Sequence, residues 1–116
     1  MNKQFRAWDS LECRYLIDFL IDDEGKVYEN GFSLNIVKGA IVEQWTGLSD
    51  KTGKLIFEGD IIQRLDYVGK VCFDFGQFYS PSFYEAGFDY VGDIFGEGLK
   101  EIEVIGNIHT DGDLLK

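Results

Sequence analysis

The chain has 116 residues, of which 45% are hydrophobic and 16% aromatic, and its 21 acidic and 11 basic side chains give a net charge of −10. This length fits one ordinary domain, which buries enough surface to fold without a disulfide or a metal. The charge argues against a protein that binds nucleic acid by neutralising phosphates, and equally against binding to anionic membranes. We therefore expect a self-sufficient globular protein.

No segment predicts membrane insertion or export. The apolar runs are short, and those at residues 16–17 and 61–62 are interrupted by charges within two positions, far from the roughly 20 apolar residues of a transmembrane helix. Residues 1–6 lack the apolar core of a signal peptide. We expect a cytoplasmic protein with no membrane partner.

The two cysteines stand apart in the sequence. Cys13 and Cys72 belong to no CxxC motif and have no histidine nearby. This favours buried free thiols, with a disulfide or a reactive thiol as the alternative.

Fourteen glycines and a single proline punctuate short β-branched and aromatic runs, a pattern typical of all-β proteins. At the N-terminus, residues 5–8 and 13–17 predict a β-hairpin joined by a polar turn. Between residues 19 and 39 the pattern is weak, and only residues 26–28 are predicted as a strand.

Strands are clearer in the remainder of the chain. They are predicted at residues 40–46, 55–57, 60–65, 70–75, 77–84 and 101–109, with residues 66–69 as a hairpin loop. Short strands of this number and spacing predict a small, strongly bent barrel of SH3-like or OB-like size over residues 41–116. Residues 1–40 form the N-terminal hairpin segment, which we expect to lack a core of its own and to pack on the barrel or on another chain.

Groups able to support catalysis are scarce. His109 is the only histidine and lies near the end of the chain, so every Ser-His-Asp or Cys-His arrangement would depend on it. The acidic run 22–24 does not follow calcium-loop spacing, and the glycines of residues 92–98 lack the GK[ST] ending of a phosphate-binding loop. We predict no enzyme, no catalytic residue, no cofactor and no metal.

The most unusual stretch is residues 84–101, where an acidic side chain recurs at every fourth position. Four glycines in the same stretch oppose a helix, which predicts a long acidic and aromatic loop. Its aromatic side chains either fold back over the open end of the barrel or dock on a partner. The candidate partner-binding residues are Phe83, Tyr84, Glu85, Phe88, Asp89, Tyr90, Asp93, Phe95 and Glu97.

Three blocks resemble the YopX family of phage and prophage proteins: KQFRAWD at residues 3–9, QWTGLSDKTGKLIFEGDII at 44–62 and EVIGNI at 103–108. The resemblance implies an SH3-like C-terminal barrel, a self-associating N-terminal segment and a phage or prophage origin, and it implies no known activity. Two departures are His109, where the family usually has an aromatic residue, and the missing proline near Gly112. The glycines of the central block suit successive turns, so we interpret this block as mainly architectural.

Two hypotheses of function follow. The first is a non-enzymatic phage accessory protein that forms a homo-oligomer through its N-terminal segment. Its expected subunit contact consists of Phe5, Trp8, Tyr15 and Phe19. The second is an acidic inhibitor that occupies a basic, nucleic-acid-binding site on a host protein. The carboxylates that would stand in for phosphates are those of Glu85, Asp89, Asp93, Glu97, Glu101 and Glu103.

Overall fold

Strands dominate the computed structural model, which describes residues 4–31, 34–74, 76–81, 83 and 100–115. Within these residues twelve strands precede a 3-10 helix, Gly112–Leu115. The strands are β1 (Phe5–Asp9), β2 (Arg14–Tyr15), β3 (Phe19–Ile21), β4 (Val27–Asn30), β5 (Leu34–Ile36), β6 (Ala40–Ser49), β7 (Leu55–Phe57), β8 (Asp60–Arg64), β9 (Tyr67–Lys70), β10 (Cys72–Asp74), β11 (Gln77–Tyr79) and β12 (Glu103–Asn107). The predicted all-β class is confirmed.

The chain divides into two compact units, Met1–Gln44 and Trp45–Lys116, called here the N-terminal and C-terminal units. The division falls inside β6, the longest strand. The first half of β6 pairs with β1, from Asp9↔Ala40 to Phe5↔Gln44, and its second half pairs with β7, where Trp45 lies opposite Phe57.

In the N-terminal unit, β1 pairs with β2 on one side and β6 on the other, both antiparallel. The predicted N-terminal hairpin is therefore confirmed. The buried Asp9 begins its turn, because the Asp9 carboxylate accepts hydrogen bonds from the backbone N–H groups of Leu11 (3.0 Å) and Glu12 (3.2 Å). This is the local bonding that favours aspartate in turns.

A second antiparallel sheet, in the order β3-β4-β5, completes the N-terminal unit. Only its central strand is predicted from the sequence; β3 and β5, each of three residues, are missed. Ala7, Leu16, Phe19 and Val27 form a buried cluster within this unit. The expectation that the N-terminal segment has no core of its own is therefore wrong, because Phe19 of β3 and Val27 of β4 belong to one buried cluster with Ala7 of β1.

The described strands of the C-terminal unit form three ladders, β6-β7, β12-β8-β9 and β10-β11. Its core consists of Ile56, Ile62, Val71, Phe83, Ile102 and Val104. The acidic and apolar alternation that predicted the last strand is confirmed by β12, whose Val104 is buried while Glu103 is half-buried. The closure of these ladders into an SH3-like barrel stays a prediction.

The hairpin of β8 and β9 differs from the prediction. Arg64 lies opposite Tyr67, so the loop consists of Leu65 and Asp66 alone and residues 67–69, predicted as loop, begin β9. The backbone of Leu65 has a φ of 55°, a left-handed conformation that residues other than glycine rarely adopt. This conformation allows the tight two-residue turn. The predicted strand over residues 70–75 is accordingly divided between β9 and β10.

The buried carboxylate of Asp50 organises the central block. Its Oδ1 accepts hydrogen bonds from the N–H and hydroxyl of Thr52 (2.8 and 2.7 Å) and from the N–H of Lys54 (2.9 Å). Its Oδ2 accepts the N–H of Val104 in β12 (2.8 Å). Burial raises the pKa of Asp50, but these hydrogen bonds outweigh it and hold the pKa below its ordinary value. One carboxylate thus closes a turn and ties it to a strand 54 positions away.

The last block, residues 103–108, contains a bulge between Val104 and Gly106. A Cβ at Gly106 would lie 2.6 Å from Oδ2 of Asp111, so glycine is required there. Asp111 accepts hydrogen bonds from the hydroxyl of Thr110 (2.8 Å) and the N–H of Asn107 (3.1 Å), which lower its pKa. The block is therefore a strand that turns sharply at its end.

Both cysteines are free thiols. Cys13 is exposed on the β1-β2 turn, so the expectation of a buried thiol is wrong at this position. Cys13 lies in an exposed turn, where its side chain has no core to pack against, so burial does not follow from residue type here. Cys72 is partly buried, and burial raises the pKa of its thiol.

No helix among the described residues is long and apolar enough to span a membrane.

Replacement of Asp50 tests the central block. We expect Asp50→Ala to lower the free energy of unfolding by about 3 kcal/mol, because it leaves buried backbone donors without acceptors. Asp66→Ala, at an exposed turn, is the matched control and should change it by less than about 0.5 kcal/mol. Urea titration measures both; equal effects would contradict the role assigned to Asp50.

The same carboxylate predicts an acid sensitivity. The pKa of Asp50 is lowered by folding from an ordinary value of 3.8, so its contribution to stability is fully present above that value. It is lost as the pH falls through the lower pKa of the folded state. Urea titrations of wild type and Asp50→Asn should therefore converge at acidic pH, whereas a difference that does not depend on pH would contradict this.

Two turn residues with positive φ both predict that a Cβ atom is unfavourable at their positions. Leu65→Gly removes strain of about 1–2 kcal/mol at the cost of about 0.5–1 kcal/mol of chain entropy, so stability should stay equal or rise by up to about 1 kcal/mol. Gly53, with a φ of 91° and open space around its missing Cβ, should lose about 1 kcal/mol on replacement by alanine. Thermal unfolding measures both; a clear loss for Leu65→Gly would contradict the strain.

Candidate functional site

The four residues predicted at a subunit contact all lie in the N-terminal unit. Trp8 and Phe19 are only 6% and 7% exposed, and Phe5 and Tyr15 are half-buried. Their role in a subunit contact stays a prediction, but two of the four have little area left to bury.

Tyr15 takes part in a charged network on the ladder β2-β1-β6. Its hydroxyl donates to the buried Glu43 carboxylate (2.8 Å), which also accepts a hydrogen bond from Nε of Arg6 (2.7 Å). The Arg6 guanidinium lies 4.5 Å from the centre of the Tyr15 ring, and that ring packs edge-on against Trp8 at 5.0 Å. Glu43 is thus a buried carboxylate paired with a cation that also lies over an aromatic ring.

Of the candidate partner-binding loop, only Phe83 lies among the described residues. Its side chain is completely buried in the core of the C-terminal unit, so Phe83 is a core residue and not an exposed contact. The other eight candidates lie outside the described residues: Tyr84, Glu85, Phe88, Asp89, Tyr90, Asp93, Phe95 and Glu97.

Two of the acidic residues in the inhibitor hypothesis, Glu101 and Glu103, lie among the described residues. Each is close to a basic side chain of the C-terminal unit. Glu101 accepts a hydrogen bond from Nε of Arg64 (2.9 Å). Glu103 lies 3.6 Å from Nζ of Lys51. Each carboxylate is thus partly neutralised within the chain, which reduces what it offers to a basic partner.

His109, the only histidine, lies in the turn after β12. Its backbone N–H donates to Oδ1 of Asn107 (3.0 Å), which also accepts the N–H of Thr110 (3.1 Å). The described part of the chain brings no three histidine, cysteine or acidic side chains together in an arrangement able to hold a metal ion.

A groove of the N-terminal unit lies along β3. It has a volume of about 750 Å³, and all three β3 residues line it together with Asp18 and Gly25. Phe5 of β1 and Val42 of β6 also line it. Because Phe5, Phe19 and Val42 belong to one apolar cluster, the floor of this β3 groove is apolar.

The backbone of β3 faces the groove. The N–H of Asp22 donates to the carbonyl of Lys26, and the N–H of Asn30 donates to that of Asp18, both at 2.9 Å. Hydrogen-bonded pairs alternate in an antiparallel ladder, so residues 18, 20 and 22 direct their backbone groups toward β4. Phe19 and Ile21 therefore direct theirs outward, into the β3 groove.

The opposite edge of this sheet is β5. The N–H of Val37 donates to the carbonyl of Val27 (2.8 Å), and the register places Asn35 opposite Glu29. By the same alternation, the backbone groups of Leu34 and Ile36 point away from β4. Among the described residues no strand pairs with this edge.

The outer face of the sheet carries an apolar row. Leu20, Tyr28 and Ile36 lie opposite one another on successive strands, and Leu34 lies two positions from Ile36 on the same face. Leu34 and Ile36 are 53% and 50% exposed. Sequence reasoning missed this face, although the apolar-polar-apolar alternation of residues 34–36 is its signal.

An exposed ion pair fastens this sheet to the hairpin. The Arg14 guanidinium on β2 donates two hydrogen bonds to the Glu29 carboxylate on β4, at 2.8 and 2.5 Å. These bonds lower the pKa of Glu29 and raise that of Arg14. A bidentate pair restricts the relative movement of the two strands.

Fold and groove together describe a small all-β protein whose N-terminal unit has a sheet with edges at β3 and β5. A family profile described as YopX protein matches residues 4–116, and the chain belongs to the YopX family.

The chain is similar to a solved structure over nearly its whole length. This is the crystal structure of protein EF1440 from Enterococcus faecalis, which is 26% identical, with a TM-score of 0.65 and coverage of 97% of both chains. No curated protein matches the chain.

Removal of the Glu43 charge tests the network. We expect Glu43→Gln to lower the free energy of unfolding by about 2 kcal/mol, because the Arg6 guanidinium loses its charged partner, and Tyr15→Phe by about 1 kcal/mol. Glu24→Gln, at an exposed turn, is the control and should change it by less than about 0.5 kcal/mol. Amide exchange of β1 and β6 reports the loss locally; protection equal to that of the control would contradict the assignment.

Proposed function

We propose that this YopX-family chain is a non-enzymatic phage or prophage protein of the bacterial cytoplasm that works by self-association through its N-terminal unit. The observation that carries the proposal is the edge strand β5, which combines outward backbone groups with two half-exposed aliphatic side chains. Such an edge accepts another strand readily. A second copy of the chain supplies a strand of the same composition.

Pairing of two β5 strands about a two-fold axis at Asn35 is consistent with the backbone. Leu34 of one copy then lies opposite Ile36 of the second copy, and the reverse holds on the other side of the axis. Both residues direct their backbone groups outward, so the two pairs form a regular antiparallel ladder. The apolar row on the outer face continues into the second copy, as the isologous interface of a dimer requires.

Charge favours this edge for self-association. A chain with a net charge of −10 repels its copies, so a stable contact must lie where no acid faces an acid. Residues 34–37 are uncharged, and Lys38 follows them. The sequence-based contact of Phe5, Trp8, Tyr15 and Phe19 has less to gain, since Trp8 and Phe19 are already buried.

Light scattering over a concentration series tests the proposal. We expect a multiple of 13.2 kDa at tens of micromolar and a shift to the monomer for Leu34→Lys, because the ammonium loses its hydration at the contact. Leu114→Lys is the matched control, since Leu114 is 46% exposed in the C-terminal unit and the change in charge is identical. A wild-type monomer at all concentrations would refute self-association.

A charge-rescue experiment tests the register. Leu34→Lys and Ile36→Glu should each weaken association. The double variant places the introduced ammonium of one copy opposite the introduced carboxylate of the second copy at two symmetrical positions, and it should recover part of the lost association. Failure of the double variant to recover association would exclude this register.

The acidic inhibitor is the second candidate, and the charge distribution favours it. Residues 45–116 carry 13 acidic and 6 basic side chains, a net charge of −7. Under this hypothesis the protein is monomeric and binds a basic host protein at low salt, with an affinity that falls as salt rises. A monomer in light scattering, together with salt-sensitive capture of a basic protein, would favour it over self-association.

A further inference from the structure

We propose that the β3 groove is a binding site for an extended peptide of a partner protein with the pattern basic, apolar, any residue, apolar, basic. The peptide adds to the sheet β3-β4-β5 as a fourth strand, beside β3. This site lies on the opposite edge of the sheet from β5 and does not depend on the proposed self-association.

Backbone geometry provides the first argument. Phe19 and Ile21 direct their N–H and C=O groups into the groove, which is the arrangement that accepts an added strand. Two residues of an incoming antiparallel strand, two positions apart, would each exchange a pair of hydrogen bonds with them.

Side chains provide the second argument. The residues of an added strand that lie opposite Phe19 and Ile21 share a sheet face with them, and this face borders the apolar groove. Phe5 and Val42 line the groove together with β3, and its volume of about 750 Å³ is enough for two aliphatic side chains. The two peptide residues that pair with β3 are therefore apolar.

Charge provides the third argument. Asp18 and Asp22 lie at the two ends of β3, on the opposite sheet face from Phe19 and Ile21. The turn holds the Asp22 carboxylate: Oδ1 accepts N–H groups from Lys26 (2.8 Å) and Glu24 (3.0 Å), and Oδ2 accepts the Tyr28 hydroxyl (3.2 Å). These bonds lower the pKa of Asp22, so it is ionised at neutral pH. Basic side chains four positions apart, about 13 Å along a strand, would match the two carboxylates.

The same acids disfavour a second copy at this edge. If two β3 strands paired about an axis at Leu20, Asp18 of each copy would lie opposite Asp22 of the other. Like charges directly opposite one another destabilise a sheet. The β3 edge therefore favours a foreign, basic strand, whereas the uncharged β5 edge favours its own copy.

The test uses the full-length protein and a synthetic, end-capped peptide, Thr-Lys-Val-Thr-Val-Lys-Thr. Chemical shifts of the protein amides measure binding, and we expect changes confined to β3, Phe5 and Val42. The control peptide Thr-Val-Lys-Thr-Lys-Val-Thr has the same composition with the pattern inverted. It should bind at least about tenfold more weakly, since it places lysines in the apolar groove and valines against the carboxylates. Equal affinity of the two peptides would overturn the proposal.

Two further measurements separate strand addition from charge attraction alone. N-methylation of two consecutive central residues blocks both edges of the peptide and should abolish binding; retained binding would overturn strand addition. Asp18→Asn should weaken binding about two- to fivefold, and the control Asp66→Asn should leave it unchanged. Equal affinities for the two variants would overturn the role of Asp18.

The variant Leu34→Lys in β5 tests whether peptide binding at the β3 groove is independent of the proposed self-association. Leu34→Lys should bind the lysine-containing peptide as tightly as wild type, whatever its oligomeric state. If the peptide binds while wild type is a monomer at all concentrations, the proposed function fails and this site stands. If the peptide instead dissociates wild-type oligomers, the groove is a contact between copies and the inference is overturned.

Discussion

The C-terminal unit depends on the buried carboxylate of Asp50. A charge is costly in an apolar interior unless hydrogen bonds replace its hydration, and here the donors come from two parts of the chain that are far apart in sequence. Thr52 and Lys54 hold the turn between β6 and β7, and Val104 holds β12. Satisfying this one group brings the central block and the last block of the family pattern together. Both blocks therefore have a structural role in the fold.

The N-terminal unit uses the same device at a different position. Glu43 on β6 is buried and accepts hydrogen bonds from Arg6 of β1 and Tyr15 of β2, so one carboxylate joins three strands. The ion pair between Arg14 and Glu29 then fastens the hairpin to the second sheet. Because these contacts restrict the relative movement of the strands, the edge strands β3 and β5 belong to an ordered unit. This restriction limits the entropy lost when another strand adds to either edge.

The two edges of that sheet differ in chemistry, which is the basis for assigning them different partners. Each offers outward backbone groups at two residues, so hydrogen bonding alone does not distinguish them. Selectivity comes from the flanking side chains: β5 is uncharged, whereas β3 lies between Asp18 and Asp22 and beside an apolar groove. Opposite charges attract a partner strand and like charges repel one. In this acidic chain, the uncharged β5 edge can therefore pair with a second copy, and the acidic β3 edge can bind a basic strand.

The sequence by itself determined the all-β class, the N-terminal hairpin and the family, because alternation, turn residues and motif spacing are local properties. It also placed β12, where acids and apolar residues alternate on a half-buried strand. Tertiary structure alone decided the rest. The strands β3 and β5 have three residues each, too few to identify a strand even where residues 34–36 alternate. They form because β4 between them supplies hydrogen bonds on both sides. Likewise, no local pattern shows that Phe83 is buried, that Cys13 is exposed or that the backbone of Phe19 and Ile21 faces a groove, since each depends on residues distant in the chain.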